Sequence, residues 1–214
     1  MKPKSRSAVI KKHFRVTIFG SARIKKGDPR YKLIYSLAKK IAAEGIDIVT
    51  GGGPGLMDAA SRGHHAGRGK NYVNTIGLTI HLPKEQKQSY HLDIKKDFSR
   101  FSRRLDNFMS LSNVVVVAPG GIGTLLEFLY TLQLMQVGFT CDIPIILMGG
   151  AWKDLVRWIK NDPMKKGFLD KNDLDPVFIV NNSTDAMKII RKARKEYQNK
   201  NKNICLNIRK YKIK

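Results

Sequence analysis

Residues 113–127 read NVVVVAPGGIGTLLE. Four consecutive valines show no alternation between apolar and polar, so both faces of this segment must be covered, as in a central strand of a parallel sheet clothed by helices. The run (Asn113 to Ala118) enters Pro119-Gly120-Gly121-Ile122-Gly123-Thr124, and an apolar helical pattern continues to about Val137. The unit is a strand, a glycine turn and a helix.

The same unit recurs on both sides. Upstream, Phe14 to Phe19 reads as a strand ending at Gly20-Ser21. Asp28-Pro29 then supplies an N-cap and an N1 proline to a helix striped by Leu33, Ile34, Leu37, Ala38 and Ile41, which stops at Gly45. Ile46 to Thr50 is a short apolar strand that opens into Gly51-Gly52-Gly53-Pro54-Gly55 and a helix from Leu56 to Ala66. Asn74 to Ile80 is another strand, and Asp97 to Ser112 is expected to be a helix with Phe98, Phe101, Leu105 and Phe108 on one face. Downstream follow the strand Ile143 to Met148, a helix carrying Trp152, Leu155, Val156 and Ile159, the strand Val177 to Val180, and a helix from Ser183. This alternation predicts an α/β fold: a doubly wound parallel sheet flanked by helices, in a single domain. The expected organisation is a basic extension over 1–13, the domain over 14–194 and a basic tail over 195–214.

The 214 residues carry 40 Lys+Arg against 17 Asp+Glu, a formal charge of +23, yet 42% are hydrophobic, enough for a substantial core. Residues 1–15 and 188–214 together hold seventeen basic residues and one acid, Glu196, so +16 sits at the two ends. Such ends suit nonspecific contact with a polyanion, and equally suit a solvated tail. No apolar run reaches the roughly 18 residues a membrane span needs, and Val16 to Phe19 is too short for a signal-peptide core, so a cytoplasmic protein without membrane contact is expected. Cys141 and Cys205 are too few for a disulfide framework and lack metal-site spacing.

In doubly wound sheets, ligands bind outside the carboxyl ends of the strands. Glycine-rich turns 51–55 and 119–124 stand at such ends, where backbone approaches a ligand closely and a helix N-terminus attracts an anion such as phosphate. The first turn, GSARIKKG, lacks the GxGxxG of dinucleotide folds, and residues 64–71 fail as a Walker A loop. Glu127 stands three residues after Thr124, close to this pocket; the two also have the spacing of a capping box. Arg104 borders the Phe101/Leu105/Phe108 stripe with its head expected to be free; an exposed arginine pairing with a carboxylate has the same pattern. No metal or cofactor is implied, since His64 and His65 are adjacent and diverge on a helix, which reads as surface histidines.

GGGPGLMDAASRG (51–63), Arg104, and PGGIGTLLE (119–127) resemble the paired motifs of the Lonely Guy (LOG) phosphoribohydrolases, formerly labelled lysine decarboxylases, over most of 14–150. The resemblance implies a Rossmann-like homodimer or higher homo-oligomer that hydrolyses the N-glycosidic bond of nucleoside 5′-monophosphates to free base and ribose 5-phosphate. It would make Arg104 and Glu127 catalytic, place the 5′-phosphate at Gly120, Gly121, Gly123 and Thr124, and set Gly20, Ser21, Gly53 and Met57 near the nucleotide. One departure bears on the base: FSRRLDNF (101–108) differs from the Met-His-x-Arg-Lys of plant cytokinin-activating members. It is closer to the Arg-Leu-Glu-x-Phe of bacterial pyrimidine/purine nucleotide 5′-monophosphate nucleosidases. A non-catalytic carrier of a nucleotide or of molybdenum cofactor, similar in fold, is the alternative. In the enzyme reading, Glu127, kept ionised by the helix N-terminus, stabilises an oxocarbenium-like transition state or deprotonates water, and Arg104 fixes the substrate.

Overall fold

The computed structural model describes residues 13–80, 89 and 91–199. The expected basic extension (apart from His13), Cys205 and the tail beyond Asn199 therefore lie outside the described residues. Seven strands, β1 (Arg15–Phe19), β2 (Asp47–Thr50), β3 (Thr75–Ile80), β4 (Ile94–Phe98), β5 (Val114–Val117), β6 (Ile145–Met148) and β7 (Val177–Val180), form one sheet in the order β4-β3-β2-β1-β5-β6-β7. Every pairing is parallel. The helices are α1 (Pro29–Ala43), α2 (Leu56–Gly67), α3 (Phe101–Leu111), α4 (Ile122–Gln136), α5 (Trp152–Asn161) and α6 (Ser183–Asn199). The doubly wound expectation holds, and the strand order reverses between β1 and β5, the switch point at which such sheets bind ligands.

The valine strand explains the two-layer core. Val114 and Val116 point into the layer built with α1, α2 and α6, while Val115 and Val117 point into the layer built with α3, α4 and α5. All four are fully buried, and each contributes on the order of 1.5 kcal/mol by area, an upper figure because unfolded chains already bury some surface. α1 begins as expected: the Asp28 carboxylate accepts from Arg30 N at 2.8 Å, with Pro29 in the first turn. At the far end Gly45, at φ 71°, turns the chain into β2.

Several expectations need correction. Residues 97–112 are not one helix: Ile94–Phe98 is an edge strand, paired with β3 through five residues, and α3 starts at Phe101. An edge strand has one neighbour, so Lys95, Lys96 and Asp97 stay exposed and the strand lacks apolar alternation. Phe101 is consequently 53% exposed, and the buried face of α3 is Arg104, Leu105, Phe108 and Met109. His64 is no surface residue but fully buried, donating from Nε2 to the Ile46 carbonyl (2.9 Å) and accepting from the Thr75 hydroxyl at Nδ1 (2.8 Å). Burial holds its pKa down to about 4, which keeps it neutral. α6 runs on to Asn199, five residues into the stretch read as tail, and Tyr197 packs edge-on against Phe14 with ring centroids 5.5 Å apart.

Candidate active site

Three loops meet at the carboxyl edge of the sheet around the switch point. The loop after β1 is tied to its neighbours through one residue: Ser21 N donates to the Pro119 carbonyl (3.1 Å), and Leu56 N donates to the Ser21 carbonyl (2.9 Å). Gly20 is packed between Leu56 and Ala118, whose β-carbons lie 3.0 and 3.1 Å from where a β-carbon would stand, closer than an ordinary van der Waals contact. The turns after β1, β2 and β5 thus share one hydrogen-bonded frame, and the expected residues Gly20, Ser21, Gly53, Met57, Gly120, Gly121, Gly123 and Thr124 all belong to it or to the helix starts it feeds.

Within the frame the glycines do different work. A β-carbon at Gly120 would collide with the Thr124 side chain, so Gly120 lets Thr124 fold back over the turn. Gly121 and Gly123 face open space. Gly121 caps α4 with no side-chain hydrogen bond, leaving the first backbone N–H groups of that helix available to an anion. The capping-box expectation fails here. α4 starts at Ile122, which puts Thr124 in its first turn rather than at its cap and Glu127 beyond that turn.

Glu127 points instead at Arg104. The Arg104 Nη1 to Glu127 Oε1 distance is 3.7 Å, and the two side chains are 11% and 14% exposed. Arg104 is not free-headed: Nε donates to the Leu78 carbonyl at the end of β3 (2.7 Å), and the guanidinium lies 5.1 Å from the centroid of the Phe108 ring. Gly51 matters for the same reason, because a β-carbon there would strike both Arg104 Nη2 and Met57 Sδ. Met57, Gly51 and Arg104 therefore converge from three elements. Burial lowers the affinity of Arg104 for its proton, and Glu127 partly restores it. For Glu127 burial dominates, pushing its pKa up to about 7 against the opposing attraction of Arg104. Burial thus works against the ionised form that the helix N-terminus favours.

Sequence reasoning missed the Leu78 carbonyl and Gly51 as neighbours of the Arg104 head, because both come from segments distant in sequence from α3. Among the described residues no group of three or more His, Cys, Asp or Glu side chains is arranged to hold a metal ion.

A doubly wound parallel sheet with a buried arginine–carboxylate pair beside an open glycine turn, at the point where the strand order reverses, defines a Rossmann-like α/β protein. The model of the family described as "Possible lysine decarboxylase" matches residues 57–190, and the chain belongs to that family. A "probable cytokinin riboside 5′-monophosphate phosphoribohydrolase" of rice (Oryza sativa subsp. japonica) is 31% identical over 136 residues, 62% of this chain and 54% of its own length. The chain thus spans about half of that relative. The Arabidopsis thaliana cytokinin riboside 5′-monophosphate phosphoribohydrolase LOG3 is 26% identical over 90% of this chain and 87% of its own. The pyrimidine/purine nucleotide 5′-monophosphate nucleosidase of Escherichia coli (strain K12) is 31% identical over 49% of this chain but only 24% of that enzyme. Among solved structures, the molybdenum cofactor binding protein of Rippkaea orientalis shares the fold, with a TM-score of 0.63 at 22% identity, over 85% of this chain and 97% of that one. No helix among the described residues is long and apolar enough to cross a membrane.

Proposed function

We propose that the chain is a hydrolase that cleaves the N-glycosidic bond of nucleoside 5′-monophosphates, releasing free base and ribose 5-phosphate. The observation that carries this reading is the Arg104–Glu127 pair, 3.7 Å apart beside the open face of Gly121 and Gly123. The relatives named as phosphoribohydrolases and nucleosidases support it.

In this reading the 5′-phosphate sits on the Gly120–Thr124 turn at the start of α4 and fixes the ribose, so that binding energy remote from the reacting carbon positions C1′. Departure of the base builds positive charge on C1′. Glu127, deprotonated above about pH 7, stabilises that charge and accepts a proton from the attacking water, which forms the new C1′–O bond as the C1′–N bond breaks; the bonding pair leaves on the base nitrogen, and the proton taken by Glu127 is returned to the departing base. Arg104, its guanidinium already placed by Leu78, fixes the substrate through phosphate or ribose or steadies the leaving base. Gly20, Ser21, Gly53 and Met57 line the nucleotide.

The test is chromatographic release of free base from a panel of purine, pyrimidine and cytokinin monophosphates. The matching unphosphorylated nucleosides are expected to be poor substrates. A carrier of the same fold binds a monophosphate, or molybdenum cofactor, without releasing base, and that outcome would replace the enzyme reading.

Two partner readings accompany it. α4 leaves Ile122, Leu126 and Leu129 exposed along one side, and a second copy of the chain is the proposed cover, tested by light scattering after size-exclusion chromatography. The Phe14–Tyr197 contact brings the roots of both basic ends to one pole. That pole is the proposed polyanion contact, tested by the salt dependence of nucleic-acid binding with residues 200–214 deleted.

A further inference from the structure

The two functional side chains come from different βα units. Arg104 rides on α3, whose chain enters from the edge strand β4, and Glu127 rides on α4, which follows the central strand β5. The Leu78 carbonyl of β3 anchors the Arg104 head, but among the described residues nothing equivalent holds the Glu127 carboxylate, so the separation also depends on how the two helices are held together. Apolar packing between the helices involves Phe108 and Phe128 in the shared core layer, but apolar contacts tolerate sliding that a directional bond does not. A polar contact bridges the helices directly: the Tyr130 hydroxyl donates to Asp106 Oδ1 at 2.5 Å. Tyr130 is three residues beyond Glu127, on the same side of α4, and Asp106 is two residues beyond Arg104. Both are half-buried, where a charge-assisted hydrogen bond is stronger than one in water.

We propose that Tyr130 and Asp106 tie α3 to α4 and thereby hold Arg104 and Glu127 at their working separation, making Tyr130 and Asp106 positioning residues of the site. Neither touches substrate. Their effect runs through the arginine: Arg104 is the charged group that bears on Glu127, so letting the helices part weakens that attraction and raises the affinity of Glu127 for its proton. The catalytic part of the inference rests on the hydrolase reading above; the geometric part does not.

The experiment uses the full chain with carbon-13 labelled glutamate, Glu127 being assigned by its loss in Glu127→Gln. Tyr130→Phe is expected to move the Glu127 midpoint up by roughly half a pH unit. With a monophosphate that wild type cleaves, kcat should fall roughly tenfold with KM within about twofold, as for a misplaced catalytic group. Asp106→Ala should raise the midpoint similarly, whereas Asp106→Asn, whose amide oxygen still accepts from the phenol, should not. Both Asp106 variants remove the same charge, so their difference isolates the hydrogen bond. Should Tyr130→Phe fail to fold, the Asp106 pair alone decides. An unchanged Glu127 midpoint in a folded Tyr130→Phe or Asp106→Ala protein overturns the proposal. If wild type releases no base from any monophosphate, the hydrolase reading falls while the titration still decides whether the tie exists.

Discussion

Among the described residues two arginine–carboxylate pairs are buried, one toward each end of the strands. At the amino edge, Arg15 Nε lies 3.9 Å from Asp47 Oδ2, with side chains 5% and 3% exposed. At the carboxyl edge, Arg104 and Glu127 stand 3.7 Å apart. The lengths are alike and the surroundings are not. Asp47 also accepts from Asn74 N at 2.8 Å, and half-exposed His13 adds a 3.6 Å contact, so its carboxylate is built into the linkage between β2 and β3. No hydrogen bond reaches the Glu127 carboxylate among the described residues, and the open glycine turn lies beside it. Fixed backbone donors make a carboxylate part of the scaffold, whereas burial beside a single cation leaves its proton negotiable.

The contrast is sharpest under substitution. Asp47→Asn strands a buried guanidinium and should lower unfolding free energy by about 3 kcal/mol or more, measured by urea denaturation, while kcat of the folded protein is retained. Loss of turnover without loss of stability in that variant would break the distinction. Glu127→Gln should cost roughly 10²-fold or more in kcat with little change in fold, read from base release and thermal melting at pH 6. An undiminished variant removes Glu127 from the chemistry.

Next in size is the pH dependence of stability. The folded pKa of Glu127, about 7, lies above its unfolded value near 4.5. Its proton therefore stabilises the fold fully below pH 4.5, and that contribution is lost as pH rises to about 7. Between pH 5 and 8 wild type should lose on the order of 2 kcal/mol by this route, and Glu127→Gln should lack that slope in parallel denaturation curves. The smallest effect expected is at Gly51→Ala, where the new methyl displaces Arg104. The rising acid limb of kcat, centred near pH 7 in wild type, should move up by roughly half a unit.

The sheet was legible because its central strand is covered on both faces and says so in four valines. The glycine turns were legible for a similar reason, since residues without side chains mark where backbone must approach something. β4 was hidden because Ile94 and Phe98 flank three polar residues on an edge that needs no apolar face. His64 was hidden because its partners, Thr75 and the Ile46 carbonyl, come from two other segments. At the candidate site, sequence spacing singled out Arg104 and Glu127; of its two readings of Arg104 the structure bears out the one that pairs it with a carboxylate rather than the free head, and burial raises the pKa of the Glu127 carboxyl that was expected to stay ionised. Burial decides each, and burial is a property of the packed β3–α3–α4 corner rather than of either motif.

The pairing of Val16 with Val114 closes a loop of 98 residues before β1 acquires its second neighbour. During synthesis on the ribosome, the half of the sheet carrying β1 to β4 must wait with one flank unsatisfied until the valine strand emerges. Parallel joins of such long range are slow to nucleate and leave a sticky edge meanwhile. A truncated product ending before residue 113 would thus keep the Gly51 turn and Arg104, yet present β1 as an aggregation seed instead of a pocket wall.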